Sequence, residues 1–399
     1  MFKGSFRAGA LLAAASLLLT ACAGKDDSAA PAAEATPAKH PVFDQKLDRQ
    51  LLLAVRQTKQ AGSASFVHHL TFASGKGDAV QTMNGRMDFT GGRGEADTTW
   101  KVPGKLPAEA RDALVGTTAG SSSGALSGRY LVDGEQIHYR ADGASYWIRY
   151  TAADTQQSQD NATLEQLHGT EAPVGGTLLE GLSGAEATQR TDGPDGRRVY
   201  QAEMPMNALE GLLPSDIRTH TTRDDSDALP VTVTVDRQGR ILEARADLTV
   251  VLRKGDVLSG FTKLTMDLTL GGHGTSAPKD SPTGTVRTAA KDVLPLRDVR
   301  KDGCADFDTG QRLAQNVVGV PCAGPHDVRV LTQVTQGPGS SAADTQSRAD
   351  TACAIARDMA RPAWLPKGAP LWAWWTPEPQ GGVGKGRVTC YTTTERGDS

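Results

Sequence analysis

The sequence predicts an α+β protein in which antiparallel strands carry one apolar face under a helical cover. Three observations lead there. Apolar and polar residues alternate with a period of two over many short stretches, one early stretch follows the helical period instead, and the composition is turn-rich, with 44 Gly and 21 Pro among 399 residues. That composition does not suit an all-helical bundle, and an antiparallel sheet with one apolar face needs a cover. The 43 basic and 46 acidic residues leave a net charge of −3. No basic field is available to hold phosphates, so a nucleic-acid partner is not expected.

At the N-terminus, Lys3 and Arg7 precede an uncharged, largely apolar stretch from Ala8 to Leu19. It has the length of a signal-peptide core and is too short to span a bilayer comfortably, so export is expected. Leu19-Thr20-Ala21-Cys22 follows directly and resembles the lipobox of bacterial lipoproteins. The resemblance implies loss of residues 1–21, a diacylglycerol on the Cys22 sulfur, and anchoring at the extracytoplasmic face of the cell membrane. Each buried methylene of such an anchor contributes about 0.8 kcal/mol. Residues 22–41 are rich in Ala, Pro, Lys and Asp, which suits a tether rather than a core.

Residues 42–272 read as the first folded domain. Phe43, Leu47, Leu51 and Val55 recur every fourth residue in a charged background, which predicts an amphipathic helix ending near Ala61-Gly62. The period then changes to two. Phe66, His68, Leu70 and Phe72 share one face of a strand, and Met83, Met87 and Phe89 alternate in the next run. Asp133-Gly134 marks a hairpin between two later runs. The clearest alternation comes later: Val231, Val233 and Val235, then Leu242, Ala244, Ala246, Leu248, Val250 and Leu252, then Leu264, Met266, Leu268 and Leu270. These form a meander with one apolar face. The short apolar stretches Thr177 to Leu182 and Met206 to Leu213 are expected to cover it together with the N-terminal helix.

This order resembles the LppX/LprA/LprF/LprG family of mycobacterial lipoproteins. The residues that carry the resemblance are the lipobox and tether, the early helix, Tyr130-Leu131-Val132-Asp133-Gly134 leading to Tyr146-Trp147, and Leu229-Pro230-Val231-Thr232-Val233-Thr234-Val235-Asp236. It implies an antiparallel half-open β-barrel closed by helices, related in shape to the LolA and LolB carriers, holding an acylated lipid or lipoglycan in an apolar cavity. The expected lining is Met206, Leu209, Leu213, Leu248, Val250, Leu252, Leu264, Met266 and Leu268, around a pocket of about 300 to 1,000 Å³. The stretch from Leu106 to Ala125, rich in Gly and Ser, lies outside the family pattern.

Residues 273–293 begin with a Gly-, Pro-, Ser- and Thr-rich run and read as a linker to a second domain at 294–396. That domain holds Cys304, Cys322, Cys353 and Cys390, the four Cys left after the anchor. In an exported chain four Cys imply two disulfides, with three connectivities open, and the absence of a C-x₂-C pair disfavours zinc. Asp302-Gly303-Cys304, Val320-Pro321-Cys322-Ala323-Gly324-Pro325-His326-Asp327, the lone Cys353, Trp372 and Gly386-Arg387-Val388-Thr389-Cys390 resemble the septum formation domain family of actinobacterial proteins. The usual Gly-Asp-Cys start of that family is here Asp-Gly-Cys. The resemblance implies a small disulfide-linked α+β domain, sequential pairing of Cys304 with Cys322 and of Cys353 with Cys390, and a link to cell division.

The chemical motifs are weak. Gly120-Ser121-Ser122-Ser123-Gly124 fits a nucleophile-elbow spacing but lacks the flanking strand and helix. His68 and His69 are adjacent on a strand and face opposite ways, so they do not share a metal. His326 precedes Asp327 without a nucleophile, and an imidazole that fixes its loop explains both residues. Trp374 and Trp375 should face opposite sides of a strand. Asn161-Ala162-Thr163 matches a glycosylation sequon that a bacterial lipobox makes irrelevant. The expectation is a non-enzymatic envelope lipoprotein without cofactor or metal, anchored through Cys22, whose partner is an acylated lipid or lipoglycan. The alternative is an envelope scaffold that binds other proteins. Cys22→Ala should release the chain into the medium or leave it unprocessed, read by membrane fractionation; retention through detergent-sensitive lipid would contradict the lipobox assignment.

Overall fold

The computed structural model describes residues 40–115, 125–134, 136–151, 177–213, 215–222, 227–307, 316–336, 342–365, 371–377 and 386–394. Cys22, the tether as far as residue 39, the Gly120–Gly124 run and the Asn161 sequon lie outside them.

A helix, α1 (Leu47–Gln60), opens the fold, and its N-terminal side follows a 3-10 turn at Pro41–Asp44. Its buried face is Gln50, Leu51, Ala54, Val55 and Thr58, so the apolar stripe is narrower than the four-residue repeat suggested and Leu47 is only partly covered. Gly62, at φ +85°, turns the chain out of the helix as the sequence predicts. Six strands then follow in antiparallel succession: β1 (Ser63–Ala73), β2 (Ala79–Asp88), β3 (Arg93–Lys101), β4 (Ala125–Asp133), β5 (Gln136–Ala141) and β6 (Tyr146–Tyr150). The Asp133-Gly134 hairpin is present, with Gly134 at φ +56°.

A second antiparallel series runs through β7 (Glu186–Asp192), β8 (Arg198–Pro205), β9 (Ala228–Val235), β10 (Ile241–Asp247) and β11 (Lys263–Gly271). Strand β11 returns to pair antiparallel with β1, which fuses both series into one sheet. With β12 (Thr285–Thr288) parallel to β6, the sheet has twelve strands in the order β12-β6-β5-β4-β3-β2-β1-β11-β10-β9-β8-β7. Its edges, β12 and β7, do not pair with each other. The sheet therefore does not close into a barrel.

One face of this sheet is the core. Phe66, Leu70 and Phe72 on β1 stand beside Leu264, Met266, Leu268 and Leu270 on β11, all buried. Short helices lie over it: α2 (Ala108–Val115), α3 (Thr177–Gly181) with a 3-10 turn at Leu182–Gly184, a 3-10 turn at Met206–Ala208 leading into α4 (Leu209–Leu212), and α5 (Ser215–Thr219). Polar bonds register α1 on the sheet. Tyr200 Oη donates to Gln50 Oε1 at 2.7 Å, and Thr58 Oγ1 accepts from Ile241 N at 2.8 Å.

Two expectations need correction. The alternation from Leu242 to Leu252 stops at Asp247, whose side chain accepts from Thr249 N at 3.0 Å and turns the chain into a 3-10 segment at Thr249–Val251. Val251 is thereby buried and Val250 is turned to solvent, 46% exposed. The stretch read as a linker is also ordered. Residues 285–293 form β12, α6 (Ala289–Asp292) and the start of β13 (Val293–Pro295). The run before them is strapped over the outer face, where Glu95 Oε2 accepts from the backbone N of Lys279 and Asp280 at 3.3 and 3.1 Å, and Arg86 pairs with Glu95 Oε1 at 3.1 Å. Trp147 Nε1 donates to Thr283 O at 3.2 Å.

The remaining strands β13, β14 (Cys304–Phe307), β15 (Asn316–Val320), β16 (Val328–Gln336), β17 (Leu371–Pro377) and β18 (Gly386–Thr393) form an antiparallel sheet in the order β13-β15-β14-β16-β18-β17. A long helix, α7 (Ala342–Met359), packs on β16, β17 and β18. Two disulfides join these parts. Cys304 pairs with Cys322 and Cys353 with Cys390, at Cα separations of 5.2 and 5.3 Å, which ties β14 to the turn after β15 and α7 to β18. The two sheets also meet each other: Tyr146 Oη donates to Asp306 Oδ2 at 2.7 Å, and Val318 belongs to the main core. Non-reducing peptide mapping should recover both pairs. Cys353→Ser with Cys390→Ser should lower stability by about 2 to 4 kcal/mol in denaturant titrations, since it opens a loop of 37 residues; free thiols at all four positions would contradict the pairing.

Candidate functional site

The inner face of the large sheet is the place the sequence points to, and seven of the nine residues expected to line a cavity lie together in its core. Met206, Leu209, Leu213, Leu248, Leu264, Met266 and Leu268 are all buried in one core, whereas Val250 faces solvent and Leu252 is half-buried. Among the described residues the seven pack together with little free surface. Leu213, Leu248 and Leu264 have no accessible surface, and a void large enough for water would leave some. The β8–β11 half of the interior is packed like an ordinary core.

The β1–β3 part of the same face is different. Cross-strand register places Leu268, His68, Met83 and Thr98 side by side on β11, β1, β2 and β3, with Gly128 of β4 next in the row. Here residual surface remains: 5% at His68, 8% at Met83 and 7% at Thr98, against 1% at Leu268. The polar atoms are also unmet. Among the described residues, neither ring nitrogen of His68 and not the Thr98 hydroxyl has a hydrogen-bond partner. Each such atom costs about 1–3 kcal/mol when buried without one. At Gly128 the ring of Tyr139 fills the space a side chain would take, since a Cβ there would lie 2.6 Å from Tyr139 Cε2. Phe66 covers Gly85 on β2 in the same manner, at 2.8 Å from the place of a Cβ.

Burial, and secondarily the charge of the adjacent His69, lowers the His68 pKa to about 4, so the imidazole is neutral at physiological pH. A neutral imidazole offers one donor and one acceptor, and the hydroxyl of Thr98 offers both. His69 points to the outer face, as adjacent strand positions require, and its Nδ1 lies 3.0 Å from Thr82 Oγ1. Periodicity alone placed His68 on the apolar face, but nothing in the sequence showed that its neighbours would leave it without a partner.

Other candidates resolve into structural roles. His326 is buried with Nδ1 2.8 Å from Gly324 O, and Asp327 accepts from Phe307 N at 3.0 Å. The pair fixes its loop. Trp375 is 38% exposed while Trp372 and Trp374 pack on the small core. A cleft of about 450 Å³ lies between α7 and β16, lined in part by Leu331, Ile355, Met359, Arg361 and Trp364, and a polar cleft of about 440 Å³ runs over Asp97, Arg129, Arg140 and Asp142. Neither includes the residues expected around a lipid. No helix among the described residues is long and apolar enough to cross a membrane.

Fold and site thus define an α+β protein with a large open sheet, one helix-covered apolar face and a disulfide-tied second sheet. No family model matches this chain, and no curated protein matches it. Among solved structures it is similar to LprF from Mycobacterium bovis, at 13% identity and a TM-score of 0.34 over 59% of this chain and 97% of that one. It is also similar to the lipoprotein LppX of Mycobacterium tuberculosis, at 14% identity and a TM-score of 0.29 over 58% and 98% of the two chains. Likeness at this level establishes neither a family nor a ligand.

His68 generates a stability prediction with a definite sign. The unfolded chain protonates this imidazole near pH 6.5 and the folded one only near 4, so the folded state loses stability as pH falls through that window. The loss approaches about 3 kcal/mol. Urea titrations at pH 7 and 4.5 should show a smaller loss for His68→Leu than for the parent. Equal losses would mean that the imidazole is not held neutral.

Proposed function

We propose that this protein is a membrane-anchored envelope lipoprotein that binds or carries an acylated lipid or lipoglycan against the inner face of its large sheet. The observation that carries this reading is the form of the cover. Among the described residues, α1 with 14 residues is the one long helix over that face, and the rest are pieces of three to eight residues. Helical pieces so short have no stability of their own and are held only by their apolar contacts with the sheet. An acyl chain offers the sheet the same contacts, so it can replace a piece of cover at little cost. The packed interior is then the empty, closed form, and entry requires the cover to part near β1–β3, where His68, Met83 and Thr98 keep some exposed surface. The lipobox at Cys22 would hold the carrier at the membrane from which such a ligand comes.

A specific observation favours a second reading. The filled β8–β11 interior suits a non-catalytic scaffold that binds other envelope proteins, and the resemblance of the tail to the septum formation family would connect it to cell division. Mass spectrometry of lipids that co-purify with the detergent-extracted chain, with titration of a fluorescent fatty-acyl probe, separates the two. A carrier should yield a stoichiometric acylated lipid and saturable binding, and Met83→Trp, which puts a bulkier side chain beside His68, should weaken probe binding at least tenfold. No co-purified lipid and no saturable binding would leave the scaffold.

A further inference from the structure

The strip at His68 and Thr98 has a chemistry that the bare idea of an apolar cavity does not require. Both side chains are more than nine-tenths buried, both project from the same face, and both lack partners among the described residues. They stand on β1 and β3 with Met83 of β2 between them, two strand spacings or about 10 Å apart. Along the whole row, from Tyr200 on β8 through Val233, Ala244, Leu268, His68, Met83 and Thr98 to Gly128, there is no acidic side chain and no permanent cation. The groups available are thus hydrogen-bonding and uncharged.

Resting on the lipid-binding reading above, we infer that His68 and Thr98 are the polar anchor of the ligand, hydrogen-bonding the ester carbonyls that join its acyl chains to an uncharged glycerol-like backbone. A carbonyl accepts the imidazole N–H or the hydroxyl proton without bringing charge into the core. A carboxylate or phosphate in this row would be buried without a counter-ion, which costs several kcal/mol. An unsubstituted hydrocarbon would leave both side chains as they are. The two groups are far enough apart to meet the carbonyls of two acyl chains, and the Met83 thioether between them adapts to chains of differing shape. The strip therefore selects the ester region of a diacyl lipid and leaves any charged headgroup outside the sheet.

The test compares two probes that differ only in the carbonyls, dioleoylglycerol and its dioleyl ether, titrated against the detergent-solubilised full-length chain. Two hydrogen bonds predict that the ester binds about tenfold more tightly than the ether. His68→Leu with Thr98→Val should bring the ratio close to one. Thr98→Ser, which keeps the hydroxyl, should preserve most of it and serves where the double variant folds poorly. If both probes bind the parent equally, or the ratio survives the double substitution, the anchor is wrong while lipid binding stands, and buried water is what meets these atoms. If neither probe binds, the carrier reading fails and the anchor with it.

Discussion

The pairing of β1 with β11 is the contact on which the rest of the fold depends. It runs from Ser65 opposite Gly271 to Ala73 opposite Lys263. Either meander alone would end in an unpaired strand with a bare apolar face, because the six strands from β1 and the five from β7 have no other seam. Once the seam forms, the buried side chains of β1 and β11 become neighbours, and one continuous face exists for α1 and the short helices to cover. Strands nearly 200 residues apart must meet for this, so loop closure is costly before the contact rewards it.

Specific polar bonds then set where the cover and the second sheet go. Apolar burial does not fix the position of α1 along the sheet, but Gln50 and Thr58 are inside it and must find partners, which Tyr200 and Ile241 N provide. Glu95 does the same on the outer face. Its carboxylate gathers two backbone N–H groups and Arg86, so a segment with linker composition lies in a defined path and delivers β12 to the edge of β6. Tyr146 and Asp306 continue the chain of contacts into the disulfide-tied sheet.

Against this background the unmet atoms at His68 and Thr98 stand out. Elsewhere on the inner face the buried Tyr200 hydroxyl has its partner in Gln50, while this strip keeps hydrogen-bonding capacity that nothing described in the chain uses. A closed, filled core and a binding surface are compatible if the cover is exchangeable. In the proposed carrier the short helical pieces would supply that exchangeability, and the strip would give a ligand a reason to stop at one place.

The sequence by itself determined what is local. The alternation in β1, β9 and β11, the helical stripe of α1, the turns at Gly62 and Gly134 and the presence of four cysteines in the tail are properties of neighbouring residues, and they were legible as such. The tertiary structure decided whatever depends on distant residues. The alternation through Leu248, Val250 and Leu252 was broken by an Asp247 turn whose cost is repaid only by the burial of Val251 in the core. The linker was ordered by a glutamate 184 residues away. Whether the apolar face would be open or filled, and whether His68 would find a partner there, followed from how eleven antiparallel strands and their helices pack around it, because packing density and hydrogen-bond satisfaction are set by neighbours in space rather than in sequence.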